Sequence, residues 1–367
     1  MRLVSLSLVV PSILLIAFGI AQSKPLPKDK KEEPAPTFKP LEISAELNQN
    51  DSKDPKIGNP SKKYTVKLAK DRTYVIDLDS KDFDSYLRLL DKAGNQLAED
   101  DDGGGDLNSR IIHSPAENGD HQVIVTTFDA QLGKFSLKVR ELKITGNAKP
   151  FTLEKKGFEH AGNLAQNDKT DLGKLTKVVS VQLKAGQSYL FEIDSEDFDC
   201  QIYVFDGKNR LLGQDLAKVI CAVTDNAPVN LVVASFDGQV GKFNLKVREF
   251  TLKGEAKPRE IGKDGISIMA NINKADETAV AKLGKVYSVQ LKAGQNYTID
   301  LASPTMDSYV YLFDGKSKLL AEDDDTGGDL NSRISFRAER DGIYHILAST
   351  LDGDETGAFT LKVRKGE

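Results

Sequence analysis

At 367 residues the chain is too long for one ordinary hydrophobic core and suits two or three domains of about 100 to 150 residues each. Charged side chains make up 29% of it and sum to a net charge of -5, spread among many Lys and Asp/Glu rather than gathered into a basic face, which argues against a nucleic-acid binder. Tryptophan is absent and aromatics are 7%, which argues against a flat indole platform for sugars or bases.

In chain order, Arg2, the nearly all-apolar run from Leu3 to Ile20 and the small residues Gly19-Ile20-Ala21 read as a signal peptide over residues 1–21, cleaved after Ala21. The alternative is a membrane anchor, since about 18 apolar residues can span a bilayer; Pro11 and the small-x-small ending favour cleavage. No cysteine follows the segment, so a lipoprotein anchor is not expected. The mature chain is then expected to be secreted or periplasmic, without stable membrane insertion. Residues 22–40 carry prolines at 25, 27, 34, 36 and 40 with lysines between them, and read as an extended, semi-rigid linker.

Three copies of one strand pattern follow, over 41–147, 148–255 and 256–367. Tyr64 to Leu68, Val179 to Leu183 and Tyr287 to Leu291 alternate apolar and polar residues, the period of a strand with one buried face. A turn and a second alternating run come next, at Tyr74 to Leu78, Tyr189 to Ile193 and Tyr297 to Leu301, and the two runs are expected to form a hairpin. An Asp then precedes the next strand in every copy (Asp84, Asp199 and Asp307), and each copy closes on an alternating strand: Phe135 to Arg140, Phe243 to Arg248 and Phe359 to Arg364. Short strands, regular turns and no convincing amphipathic helix predict an all-β chain of three tandem antiparallel, jelly-roll-like β-sandwiches. Gly146 to Pro150 and Gly254 to Pro258 punctuate the boundaries.

The first and third copies share an acidic loop. Glu99-Asp100-Asp101-Asp102-Gly103-Gly104-Gly105-Asp106-Leu107-Asn108-Ser109-Arg110 recurs as Glu322-Asp323-Asp324-Asp325-Thr326-Gly327-Gly328-Asp329-Leu330-Asn331-Ser332-Arg333. Carboxylates this dense repel one another, and hard oxygen donors on glycine backbone suit Ca2+, giving about two sites, one in each of these copies. The candidate ligands are Asp84, Asp100, Asp101, Asp102, Asp106 and Asn108, and Asp307, Asp323, Asp324, Asp325, Asp329 and Asn331. A solvated acidic turn is the alternative. The loop is not an EF-hand, because counting Asp100 as position one puts Ile111 where the bidentate Glu belongs. Zinc is disfavoured because none of the four histidines recurs between copies. Arg110 and Arg333 are expected to pair with an adjacent carboxylate at the loop's exit.

The second copy is shortened at this loop, where Gly213 to Lys218 replaces the carboxylates. Metal binding is expected to be absent or weak there. Its Cys200 stands at the position of Ser85 and its Cys221 at that of His113, and they are the chain's two cysteines. In an exported protein they are expected to form a disulfide joining the segments a metal joins elsewhere; two buried free thiols are the alternative.

These features resemble the bacterial pre-peptidase C-terminal (PPC) domain, a β-sandwich appended to many secreted proteases and related to collagenase collagen-binding domains. The resemblance rests on the paired alternating strands, on Asp84 to Leu87 with the strand that follows, on the acidic loop and on the closing Phe135 to Val139 strand. It covers the first and third copies end to end and the second incompletely. It implies a jelly-roll-like fold, frequent calcium binding and a non-catalytic role in adhesion, targeting or assembly, although no peptidase domain accompanies it on this chain.

The leading functional expectation is a secreted, calcium-binding, non-enzymatic protein that adheres to an extracellular protein or polysaccharide surface or to a separate secreted enzyme. A carbohydrate-binding or protease-inhibiting module is the alternative, with Tyr86, Tyr309 or Tyr311 as stacking residues. A hydrolase has poor support: no Gly-x-Ser-x-Gly or His-Glu-x-x-His motif is present, and Asp82/Asp84 read better as turn and metal residues than as an acid and base.

Overall fold

A computed structural model describes residues 38–278, 280, 282–351 and 353–366, so the expected signal peptide and nearly all of the expected linker lie outside the described residues. Among the described residues the secondary structure is entirely β. The chain divides into two compact units, one ending at Lys143 and the other beginning at Ile144.

The first unit has eight strands: β1 Leu41–Leu47, β2 Lys62–Leu68, β3 Thr73–Ser80, β4 Ser85–Leu90, β5 Gln96–Asp100, β6 Ser109–His113, β7 Gly119–Thr127 and β8 Gly133–Leu142. They form two four-stranded antiparallel sheets, β1-β8-β3-β6 and β2-β7-β4-β5, packed as a sandwich. The alternation legible in the sequence decides the faces: Val66 and Leu68 of β2 and Phe135, Leu137 and Val139 of β8 are buried, while Lys67 and Lys138 between them are exposed. Leu68, Ile76, Leu87, Leu89, Val123 and Leu137 are fully buried in one core, each contributing about 1.5–3 kcal/mol relative to exposure.

The expected hairpin between the first two alternating runs is not formed. β2 pairs with β7 in one sheet and β3 with β8 and β6 in the other, so the turn between them arches across the sandwich. Alternation reports which face of a strand is buried, and two strands burying the same core from opposite sheets read alike. The Ala69 N–H donates to the hydroxyl of the buried Tyr74 (3.0 Å), which fixes the arch. Lys184 with Tyr189 and Lys292 with Tyr297 repeat it in the other copies.

The second face of β4 is covered too, by the segment between β1 and β2. Asp54 accepts from Arg88 Nη1 at 2.6 Å, and Glu99 accepts from Lys56 Nζ (2.5 Å) and from the Tyr86 hydroxyl (2.6 Å). Asn59 Nδ2 and the carbonyl of Pro60 hold the segment to the end of β7 through Thr127 and Thr126.

At one end of this sandwich His113 of β6 and His121 of β7 approach from opposite sheets, with ring centroids 5.8 Å apart. Burial, with the neighbouring His121 adding to it, pushes the His113 imidazole down to about 4. Burial also lowers His121, against the opposing pull of the Gly119 carbonyl, Asp91 and Asp120. An unfolded histidine titrates near 6.5, so between that pH and about 4 the unfolded chain takes up a proton that the folded unit refuses. His113 therefore contributes stability that is lost as pH falls from 6.5 to 4, while the raised carboxyl of Asp100 acts in the opposite direction, so over that range the first unit is expected to lose stability relative to His113→Leu. Urea unfolding across that range measures this; equal slopes for the two proteins would contradict it.

The second unit contains two sandwiches. In the first, Phe158–Leu164, Gly241–Phe250, Ser188–Asp194 and Lys218–Ala222 form one sheet, in that order. They face Leu211–Asp215, Cys200–Phe205, Pro228–Ser235, Thr176–Gln182 and the short parallel edge strand Phe151–Thr152. In the second, Ile266–Ile272, Gly357–Lys365, Asn296–Ala302 and Ser332–Arg337 face Arg259–Glu260, Gly284–Leu291, Gly342–Thr350, Ser308–Asp314 and Leu319–Asp323. Each has its own apolar core. They join where the Phe250 ring lies 5.5 Å from that of Phe313 and the Leu252 N–H donates to Ser317 Oγ at 2.8 Å. Gly254 in the connector seats so closely on the next sandwich that a Cβ would lie 2.2 Å from His345 Nδ1, which accounts for glycine at this boundary.

Cys200 and Cys221 are free thiols, and the expected disulfide is not formed. The position of Ser85 faces that of Ser109, whose hydroxyl lies 2.6 Å away in the first unit. In the second copy Cys200 accordingly lies beside Leu216, with Sγ 3.8 Å from its carbonyl oxygen. Cys221 is opposite Tyr189, further along the same strand, as His113 is opposite Tyr74. Four extended residues beyond Ala217 amount to about 13 Å, whereas disulfide-linked Cα atoms lie within about 7 Å.

Candidate metal centre

The acidic loops join β5 to β6 in the first unit and Leu319–Asp323 to Ser332–Arg337 in the second. In each, the first Asp turns inward and holds the loop closed. Asp100 Oδ2 accepts from the N–H of Gly103 (2.9 Å) and of Arg110 (2.7 Å). Asp323 Oδ2 accepts from Thr326 (3.1 Å) and Arg333 (2.7 Å). Thr326, standing where the first loop has Gly103, also donates its hydroxyl to Asp323 Oδ1 at 2.8 Å. Burial pushes the Asp100 carboxyl up to about 7 against the stabilising pull of those two N–H groups.

The second copy identifies this first Asp as a fold residue. Asp100 pairs with Leu87, Asp323 with Val310 and Asp215 with Ile202, so Asp215 occupies the same place. It too accepts a backbone N–H, from Ala217 at 2.9 Å, although no acidic cluster follows it.

The loop tip is backbone-bonded. Gly104 N–H donates to the Asn108 carbonyl (2.7 Å) and Gly327 N–H to that of Asn331 (2.8 Å). A Cβ on Gly104 would lie 2.7 Å from that carbonyl oxygen, and Gly105 has φ +92, so both positions need glycine. Asn108 and Asn331 are side-chain staples: Oδ1 accepts from Ser80 N–H (2.9 Å) or Ser303 N–H (3.1 Å), and Nδ2 donates to the carbonyl of Gly105 (3.0 Å) or Gly328 (2.9 Å). Asp106 and Asp329 stand exposed at the tip with φ +55 and +54.

The carboxylates also meet one another. In the third copy, carboxylate oxygens of Asp323, Asp324 and Asp325 lie within 4.8 Å of one another. Burial raises Asp324 to about 6, and the charges of Asp325, Asp323 and Asp307 add to it. In the first copy Asp84 is raised by burial, then by the charges of Asp129, Asp101 and Asp102. Asp101 and Asp102 are themselves raised, burial again leading. Carboxylates gathered in partly buried space are able to share a cation, and oxygens bound at 2.3–2.6 Å to one Ca2+ lie within about 5 Å of each other.

Asp129 was not among the sequence candidates. Its recurrence as Asp237 in Phe236-Asp237-Gly238 was a signal, but that copy lacks the acidic loop, and both Asp accept from a neighbouring hydroxyl, of Thr127 (2.7 Å) or Ser235 (2.9 Å). Arg110 and Arg333 pair across the sheet, not within the loop: each Nε lies 2.5 Å from a carboxylate oxygen, of Asp77 or Asp300. Tyr86, Tyr309 and Tyr311 are buried and present no ring for stacking on a sugar. Asp82 Oδ2 accepts the Lys134 N–H at 2.8 Å, as Asp197 does that of Lys242, which makes it a turn residue.

No curated protein matches the chain. Among solved structures it is similar to the pre-peptidase C-terminal domain of a collagenase from Bacillus anthracis, with 16% identity, covering 29% of this chain and 95% of that one, TM-score 0.24. It is also similar to the CUB1-EGF-CUB2 domain of human MASP-1/3 (9% identity, 57% of this chain, 99% of that one, TM-score 0.19). A third is the M60 catalytic domain with two CBM51 domains of Clostridium perfringens ZmpB (12% identity, 83% of this chain, 33% of that one, TM-score 0.20). Residues 284–350, the centre of the third sandwich, match the family described as the bacterial pre-peptidase C-terminal domain, and the chain therefore carries a domain of that family.

Proposed function

We propose that this chain is an extracellular, non-catalytic binding protein whose first and third sandwiches each hold one calcium ion in the acidic loop. The ligands are Asp84, Asp101 and Asp102 in the first and Asp307, Asp324 and Asp325 in the third, with Asp100 and Asp323 offering the oxygen not already engaged by backbone. The convergence of Asp323, Asp324 and Asp325 within 4.8 Å carries this reading. Bound calcium would neutralise that cluster and tie the loop to the strand entered at Asp84 or Asp307, fixing one end of each sandwich. The second copy, with Asp215 alone, has no such set and serves as a metal-free spacer.

Non-catalytic action is supported by what the sequence's one acid-base candidate does: Asp82 is spent on a backbone N–H. Among the described residues no helix is long and apolar enough to cross a membrane. The partner is an extracellular protein or polysaccharide surface, or a separate secreted enzyme docked on the sandwiches.

Calorimetric titration with calcium tests the metal reading. Two ions per chain are expected, falling to one in Asp101→Ala and one in Asp324→Ala, and to none when both are changed. Wild-type stoichiometry in either single variant would reject the ligand assignment.

A further inference from the structure

The outward face of the sheet Ile266–Ile272, Gly357–Lys365, Asn296–Ala302, Ser332–Arg337 carries a positive excess that its counterparts lack, although the first unit has the same central carboxylate with its basic neighbours in Asp77, Arg110, Lys138 and Arg140. At its centre Asp300 lies across from Lys362 on one neighbouring strand and from Arg333 on the other. Arg333 Nε meets Asp300 Oδ1 at 2.5 Å, and the Arg364 guanidinium meets Oδ2. One carboxylate thus holds two planar cations in place while three positive groups share the surface. They line a groove of about 350 Å³, with Thr360 and Gly327 also at its wall and no aromatic among the lining residues.

The excess is specific to this copy. Ser267 pairs with Lys362 where Glu42 pairs with Lys138 and Glu159 with Lys246. Ala302 pairs with Thr360 where Asp79 pairs with Ser136 and Asp194 with Asn244. Two carboxylates that balance the same face elsewhere are therefore missing here, in a chain whose net charge is -5.

We propose that this groove binds an acidic polysaccharide, whose sulfate or carboxylate groups dock on Arg333, Lys362 and Arg364. Guanidinium groups already oriented by Asp300 meet an oxyanion with little further loss of freedom, and charge-assisted hydrogen bonds to them are the strong kind. The wall offers hydroxyl, amide and backbone groups but no apolar pocket of the kind that anchors peptide side chains, which favours a hydrated glycan over an acidic peptide. The proposal rests on the extracellular reading for where such a polymer is met, and not on calcium.

The test measures binding of dextran sulfate, uncharged dextran and polyglutamate to the full chain, in calcium and in chelator. Dextran sulfate is expected to bind, more weakly at high salt, and uncharged dextran not to bind. Lys362→Gln/Arg364→Gln should weaken dextran sulfate binding by about tenfold or more, and Lys138→Gln/Arg140→Gln in the first unit should leave it unchanged. Lys362→Gln alone, which keeps both guanidinium contacts to Asp300, gives a smaller loss in the same direction and guards against a double variant that fails to fold. Undiminished binding in Lys362→Gln, equal binding of polyglutamate, or no binding of dextran sulfate would each overturn the proposal. No dextran sulfate binding by the unmodified chain beside an intact calcium isotherm rejects the groove alone, and polymer binding without calcium binding rejects the metal reading alone.

Discussion

Chelating calcium from the protein is expected to lower the melting temperature of the first and third sandwiches and to leave the strands of the second protected. Without the ion, Asp101 and Asp102 face Asp84, and Asp324 faces Asp325 and Asp307, in partly buried space where repulsion is poorly screened. A ligand that binds the folded state stabilises it by mass action, about 2.7 kcal/mol when free calcium is a hundred times the dissociation constant. For domains of this size that is a shift of roughly 10 °C or more. The second and third sandwiches share the Phe250–Phe313 contact, so a single melting curve blends them, and hydrogen exchange resolved by peptide is the better readout. Protection should fall at Ser109–His113 and Ser332–Arg337 and hold at Lys218–Ala222. Identical exchange with and without chelator at all three strands would remove the metal from the account of this protein.

The strands were legible because period-two alternation is a direct record of one buried face. Phe135, Leu137 and Val139 and their counterparts in the other copies are buried as that pattern requires. Sheet partnership was not legible: Tyr64 to Leu68 and Tyr74 to Leu78 look like hairpin neighbours, and only the cross-sandwich pairing to β7 and β8 separates them. β1 shows the same alternation, with Leu41, Ile43, Ala45 and Leu47 turned inward between Glu42, Ser44 and Glu46, so the strand is legible in the sequence while its pairing with β8 is not. Within the acidic loop, composition marked a charged cluster but could not divide it. The roles depend on which carboxylates meet backbone N–H groups, as Asp100 does, which meet one another, as Asp324 and Asp325 do, and which do both, as Asp323 does. The cysteine pairing failed for a related reason. Position in the repeat places both cysteines, but an offset of four residues along a strand is invisible until the strand's partner is known.

Asp54→Ala is expected to cost the first unit about 3–5 kcal/mol, a large share of the roughly 5–15 kcal/mol that holds an ordinary domain folded. No sequence pattern pointed to Asp54, because its partners lie on strands remote in the chain. Its side chain is wholly buried and its carboxylate meets Arg88 Nη1 at 2.6 Å, with the arginine side chain only 9% exposed. The other oxygen accepts from the N–H of Lys56 (2.8 Å) and Ile57 (3.1 Å), which shapes the segment covering β4. Removing the carboxylate strands two donors and leaves Arg88 to Gln96 and to Glu99, whose oxygen is 3.8 Å away. The other copies show the apolar solution to the same position: Tyr203 and Tyr311 stand where Arg88 does, each followed by a fully buried Val204 or Leu312. The pair Asp54→Ala/Arg88→Tyr should therefore recover most of the loss, since a buried charge left alone is what makes the single change severe. Urea unfolding of the two variants measures both quantities. A single-variant loss below about 1 kcal/mol, or a double variant no more stable than the single, would show that the pair does not secure this face. Because Glu99 directly precedes Asp100, a loosened Arg88 would also weaken calcium at the first loop while the third keeps its affinity.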